Sequence, residues 1–196
     1  AQAIDAELWV YILGFNHNAA REGNNKIHFG TFKTAQSGGT DVGLIDNEYG
    51  KYYTDGRKCF NLNHWNPYNY GGWKACDARY DILGSTDTPP QNYGASRQTG
   101  DVGYDASATC ATNPVANTLM AALPADLRAV MKPITKYTDN IGGGTGNVAS
   151  NVTTSVDYLP LLAEYEIFGS RTYANSTEQN YQAQYAYFAN GNPKLK

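Results

Sequence analysis

Charged side chains are scarce in this chain. Asp, Glu, Lys and Arg make up 17% of the 196 residues, with a net charge of −3, where an average domain carries about a quarter. Lys and Arg are scattered and nowhere dense enough to track a phosphate backbone, which argues against nucleic acid as a partner. No apolar run approaches the length of a bilayer-crossing helix, so no membrane span is expected. Cysteine is equally sparse. Cys59, Cys76 and Cys110 form no C-x-x-C pair and have no His at ligand spacing, which excludes a recognisable zinc site and a disulfide framework. Buried thiols of a chain made in a reducing cytoplasm are the expectation.

Catalytic patterns are missing too. His17, His28 and His64 lie in no metal or triad motif, and no Ser stands in Gly-x-Ser-x-Gly. The glycine triplet Gly142-Gly143-Gly144 is not followed by the Gly-Lys-Ser/Thr of a phosphate loop. Glycoside hydrolysis needs only two carboxylates at the right separation, and Asp46 with Glu48, or Glu164 with Glu166, are the candidates. Asp139-Asn140 and Asp101 fall in loops without the spacing of a calcium loop. No catalytic set, no metal and no cofactor is expected. Asn151-Val152-Thr153 and Asn175-Ser176-Thr177 match the glycosylation pattern, which an Asn- and Thr-rich chain produces easily by chance.

What the chain has in quantity is tyrosine, 16 residues, and glycine, 20. Its polarity comes from Asn, Thr, Ser, Gly and Tyr rather than from ions. Such a composition suits a turn-rich β domain. It also suits a binding surface of stiff amphipathic rings, and the two readings are compatible.

The patterning predicts an α+β domain with short antiparallel strands, two to four short helices and long loops. A single domain spans 1–196, with a β-meander over 1–62 and a mixed α+β part over 63–196. Leu8 to Leu13 is an apolar run closed by Gly14 and reads as a buried strand. Ile27 to Lys33 alternates as a half-exposed strand, with Asp41 to Asp46 as its partner and Lys58 to Leu62 as a fourth. A loop dense in aromatics follows, carrying His64, Trp65, Tyr68 and Tyr70. These four are the candidate ligand contacts, although for His64 the structural reading comes first.

Trp73 to Leu83 predicts one helix, with Trp73, Cys76, Tyr80 and Leu83 on one face and Gly84 as its stop. Residues 85–109 form a long polar loop. Asn113-Pro114 predicts a helix start running to about Leu123, and Pro124 to Arg128 opens another. Residues 130–138 read as extended, at a sheet edge because of Pro133. A hairpin excursion over 141–147 leads to a second extended segment at 152–158. Leu159 to Gly169 mixes a strand with a short helix ended by Gly. Ser176 to Phe188 closes as a helix with Tyr181, Tyr185 and Phe188 in line.

Four segments carry a resemblance: residues 69–86 (NYGGWKACDARYDILGST), 113–120 (NPVANTLM), Leu123 to Tyr137, and 157–169 (DYLPLLAEYEIFG). In that order they resemble an uncharacterised domain family of gut-bacteriophage virion proteins and bacterial surface proteins, over most of the chain from about Leu8. Members continue with a Trp-Trp-Glu-Arg-Ser-Pro segment and an Asn- and Tyr-rich variable stretch, similar to C-type-lectin-like domains. The chain stops at Lys196, before that segment would begin, and relatives carry β-rich sequence ahead of Ala1. Starting without Met or a leader, it is therefore expected to be a processed product or a fragment, the framework without the variable surface.

The resemblance implies core roles for Trp73, Cys76 and Tyr80. It implies that Arg79 pairs with a backbone carbonyl or with Asp77, Asp81 or Glu166, or else binds an anion. It further implies a non-enzymatic structural or display domain of a phage particle, in a tail or head fibre, as a receptor-binding or decoration protein. Partners would be other virion proteins, further copies of the chain (a trimer suits a fibre), and a cell-surface glycan or protein receptor. The alternatives are a bacterial surface or secreted carbohydrate-binding module and, further off, a carboxylate-based glycan hydrolase.

Overall fold

The computed structural model describes residues 6–36, 71–76, 78–87, 91–92, 95–96, 109–142 and 146–192. It is an α+β arrangement of short antiparallel strand pairs and short helices. Contacts group the chain into two compact units. One comprises 1–44, 162–174 and 179–196, and the other 45–161 with 175–178. The expected strands at 41–46 and 58–62 lie outside the described residues.

The first unit is built on a ribbon of β1 (Ala6–Phe15) and β2 (Ile27–Gln36), antiparallel and joined through α1 (Ala19–Glu22). β2 thus takes β1 as its partner rather than Asp41 to Asp46. The ladder slips twice. Between Trp9 and Val10 the extra residue is on β2, and between Ile12 and Gly14 the extra residue, Leu13, is on β1. Gly14 therefore does not close the strand, which continues to Phe15.

Bulge and alternation together decide the faces. Tyr11, Leu13 and His28 face the unit's core, where Leu13 packs with Tyr185 and Phe188, edged by Leu162, Ile167 and Tyr187. Burying each such side chain is worth about 1.5–3 kcal/mol. Val10, Ile12, Phe15, Ile27 and Phe29 stay open to solvent, from 44% exposed at Ile12 to 66% at Phe15. The fully buried strand expected at 8–13 is thus buried on one face only.

Two helices complete this unit. In α4 (Glu164–Phe168) the Glu166 carboxylate returns to the Ala163 N–H, 2.8 Å away. Gly169 ends α4 at φ 65°, ψ 8°, the left-handed cap that glycine adopts without strain. No strand precedes α4 at 159–163. The helix expected over 176–188 is broken. Glu178–Asn180 is one 3-10 turn and α5 is only Ala186–Ala189, started by an extended Tyr185 at φ −64°, ψ 138°.

The second unit holds β3 (Gln91–Asn92) against β4 (Ala95–Ser96), then α2 (Leu119–Ala122), α3 (Ala125–Val130), and β5 (Ile134–Asp139) paired with β6 (Val152–Asp157). The single helix expected over 73–83 is instead a 3-10 turn, Trp73–Ala75, an extended Cys76 and a π-type turn, Ala78–Ile82. An amphipathic helix needs a wet face, and of the described residues between 71 and 86 only Lys74 is exposed. Trp73, Cys76, Ala78, Ile82 and Leu83 form one apolar cluster with Leu119 and Leu159, while Tyr80 turns to Val115 in another.

Gly72, at φ 53°, allows this segment to enter, because a Cβ there would collide with the Asp139 carbonyl. The second expected helix starts late. Asn113 is held in a bridge to Thr109 and Asn117 turns left-handed at φ 63°. Thr118 is the true cap, its hydroxyl accepting from the Ala121 N–H at 3.4 Å.

Candidate functional site

His64, Trp65, Tyr68 and Tyr70 lie outside the described residues, as do Asp46, Glu48, Cys59, Asp77 and Asp101. The five framework residues, Trp73, Cys76, Arg79, Tyr80 and Glu166, are all buried. Cys76 and Cys110 are buried thiols.

Arg79 pairs with Asp157, 78 positions later, and not with Asp81 or Glu166. Its Nε donates to Asp157 Oδ1 at 2.5 Å, while its two terminal nitrogens donate to the carbonyls of Lys74 at 2.9 Å and Val156 at 3.4 Å. Asp157 is fully buried. It also accepts from Trp73 Nε1 at 3.0 Å, Ser85 Oγ at 3.3 Å and Ser155 Oγ at 2.5 Å. With four donors on one carboxylate the charge is fully compensated. Three of the five guanidinium N–H groups are thus engaged by protein acceptors, and the side chain also lines the open groove beside the cluster.

An open groove of about 430 Å³ lies beside this cluster, lined by Lys74, Asp87, Pro133, Thr154 and Tyr158 among others. Asp87 accepts the Cys110 N–H at 2.5 Å. Burial, then the hydrogen bond and charge of Asp87, push the Cys110 thiol far above its ordinary range. Such a thiol is no nucleophile.

Other sequence candidates are also occupied by structure. Asp139 Oδ1 accepts from the Ile141 and Gly142 N–H groups, and Oδ2 from Asn175 Nδ2 at 2.9 Å. That fills the would-be calcium ligand, and it buries the amide that glycosylation of Asn175 would need. Among the described residues no group of His, Cys, Asp and Glu is placed to hold a metal ion, and no helix is long and apolar enough to cross a membrane.

In the first unit Glu22, His28 and Tyr185 form a buried chain. His28 Nε2 meets Glu22 Oε2 and its Nδ1 meets the Tyr185 hydroxyl, both at 2.9 Å, and His17 stacks on the Tyr185 ring. Burial, then the charges of Glu166 and Glu22, raise the Tyr185 phenol far above its ordinary range. Tyr185 therefore serves as a neutral hydrogen-bonding partner.

The most site-like surface of this unit surrounds Glu164. The carboxylate accepts three consecutive backbone N–H groups, from Thr172 at 2.7 Å, Tyr173 at 3.0 Å and Ala174 at 2.9 Å. The Ala174 N–H, then those of Tyr173 and Thr172 and the charge of Arg171, hold its carboxyl below the ordinary value; desolvation opposes them. The loop so fastened carries Tyr173 outward, 94% exposed. Tyr173 borders an open groove of about 690 Å³ with Glu164, Phe168, Ser170, Thr172 and Ala174. That volume falls in the range of small-ligand clefts. Here a rigid ring, a second half-exposed ring and two hydroxyls stand together on a fixed backbone.

Glu164 and Glu166 do not face each other as catalytic acids. Each turns its carboxylate to backbone N–H groups on its own side of α4.

No protein-family model, curated protein or solved structure matches the chain. Sequence reasoning missed Tyr173 and the role of Glu164. The only available signal was Ser170-Arg171-Thr172-Tyr173, a polar run just past the Gly169 helix stop, where an aromatic has no core to enter.

Proposed function

We propose that the chain is a non-enzymatic display and binding domain of a bacteriophage particle, carried on a tail or head fibre among other virion proteins. The observation that carries the binding role is Tyr173, nearly fully exposed on a loop whose backbone three hydrogen bonds to Glu164 hold fixed. A stiff aromatic on an ordered backbone offers contact area with little entropy left to lose on binding. The many tyrosines and the small share of charged residues support the same use. The assignment to a phage particle rests on the sequence resemblance. Its test is to purify particles and measure whether the chain accompanies them at fixed copy number. Absence from particles that retain infectivity would sink the virion assignment.

A second reading, a carbohydrate-binding module, is favoured by the pairing of Tyr173 with the half-exposed Phe168 and the Ser170 and Thr172 hydroxyls. Sugar faces stack on such rings while hydroxyls hydrogen-bond at the rim. Tyr173→Ala should then weaken binding to host-surface glycan by about tenfold or more, the loss of a central aromatic contact. Equal binding by the variant would remove this groove from either reading.

A further inference from the structure

We propose that the outer face of the β1–β2 ribbon is the surface on which two copies of this chain associate. Val10, Ile12 and Phe15 on β1 and Ile27 and Phe29 on β2 form one charge-free apolar face, each residue between 44% and 66% exposed. Together they offer about 500 Å² of open apolar surface, at the upper end of what a monomer leaves uncovered. Two such faces in contact bury about 1,000 Å² before any polar rim is added, the lower bound for a specific interface.

The arrangement of side chains selects a second copy as the occupant. Across the ladder Phe15 stands opposite Ile27, and Ile12 opposite Phe29. Each rung therefore pairs a ring with a β-branched side chain. A two-fold axis running along the strands lays β1 of one copy over β2 of the other at the same level. Phe15 then meets Ile27 and Phe29 meets Ile12 in both directions, so bulk meets hollow everywhere. A face that is its own complement is what an isologous dimer requires, and sheets stacked this way sit about 10 Å apart. The absence of charge on the face means that no oppositely charged partner is selected. The Leu13 bulge makes the face possible, because without it Phe15 would fall out of line with Ile12.

The interface does not depend on the display role, and its failure would leave the Tyr173 groove untouched. The test is sedimentation or light scattering of the full chain across a wide concentration range. Wild type should show a reversible shift to twice the chain mass. Phe29→Asp should weaken that association by about tenfold or more, since it buries a charge at the centre of the contact. Far-UV circular dichroism checks folding, and Ile12→Thr, milder and on the opposite strand, gives a second reading if Phe29→Asp does not fold. A wild-type chain that stays monomeric throughout overturns the proposal, as do folded variants that associate like wild type. A monomer that instead sediments with phosphatidylcholine vesicles overturns it in favour of a lipid surface.

Discussion

In the second unit a charge sits at the centre. Asp157 collects an indole, a guanidinium and two hydroxyls, and the apolar cluster of Trp73, Cys76 and Leu83 is assembled around that point. In the first unit the centre is a ring. Tyr185 stacks on His17 and reaches His28, and the acid of that chain, Glu22, stands at its far end. A buried ion brings directionality, since each donor must approach along a defined line. It is also intolerant of losing one partner. A neutral phenol asks less of its surroundings and forfeits less when a partner is removed.

The largest expected effect tests that contrast at Asp157. Asp157→Ala leaves the Arg79 guanidinium buried without its counter-ion and should cost about 3–5 kcal/mol, read as a lowered midpoint in urea unfolding. A double change, Arg79→Met with Asp157→Leu, should recover the part of that loss that comes from the stranded guanidinium, but not the part from Trp73 Nε1 and the Ser85 and Ser155 hydroxyls, which still lose their acceptor. If the double variant is as unstable as the single one, the cost lies in those neutral donors and not in the charge. Next in size is Tyr185→Phe. It removes only the hydroxyl facing His28 and should cost about 1–3 kcal/mol, the desolvation of one buried group left without a partner. A loss as large as that at Asp157 would erase the distinction between the units.

The smallest effect concerns Glu164. Its folded pKa lies below the ordinary value of about 4.5, so the stability it contributes is present above that value and is lost as pH falls through the lowered one. The amides of 172–174 should be protected from hydrogen exchange at neutral pH and lose protection below about pH 4.5. Glu164→Gln should abolish this pH dependence while leaving the unit folded. Unchanged protection in that variant would mean that the loop is held by something other than the carboxylate.

Much of the strand content was legible, and the reason is local. The alternation at 27–33 and the extended runs at 130–138 and 152–158 are properties of neighbouring residues, and they appear as β2, β5 and β6. Gly169 was legible as a helix stop for the same reason. Helix lengths were not. The 73–83 segment satisfies helical spacing, yet burial on every side removes the wet face that the periodicity implies.

Thr118 displaced Asn113 as a cap because a bridge to Thr109 had already taken Asn113, and no local pattern announces such a bridge. The candidate site was the least legible. Arg79 has Asp77 and Asp81 two positions away on either side, whereas Asp157 stands 78 positions on, and one Tyr in 16 gives no sign of which will stand exposed. Both are decided by contacts between distant positions.

The paired slips in the β1–β2 ribbon lie on opposite strands, so their offsets cancel: Ala6 faces Gln36 and Phe15 faces Ile27 as an unbroken ladder would have them. Only the middle, from Val10 to Ile12, runs one place out of phase. The ribbon therefore behaves like a sentence with a parenthesis in it. Leu13 and Phe32 are the unpaired residues of the two slips, so deleting either one would remove its bulge and leave the partners on both sides as they are. Deleting any paired residue of the ribbon would instead shift every rung between it and the nearest slip or the turn. The two unpaired positions are thus where this hairpin can lose length without exchanging partners.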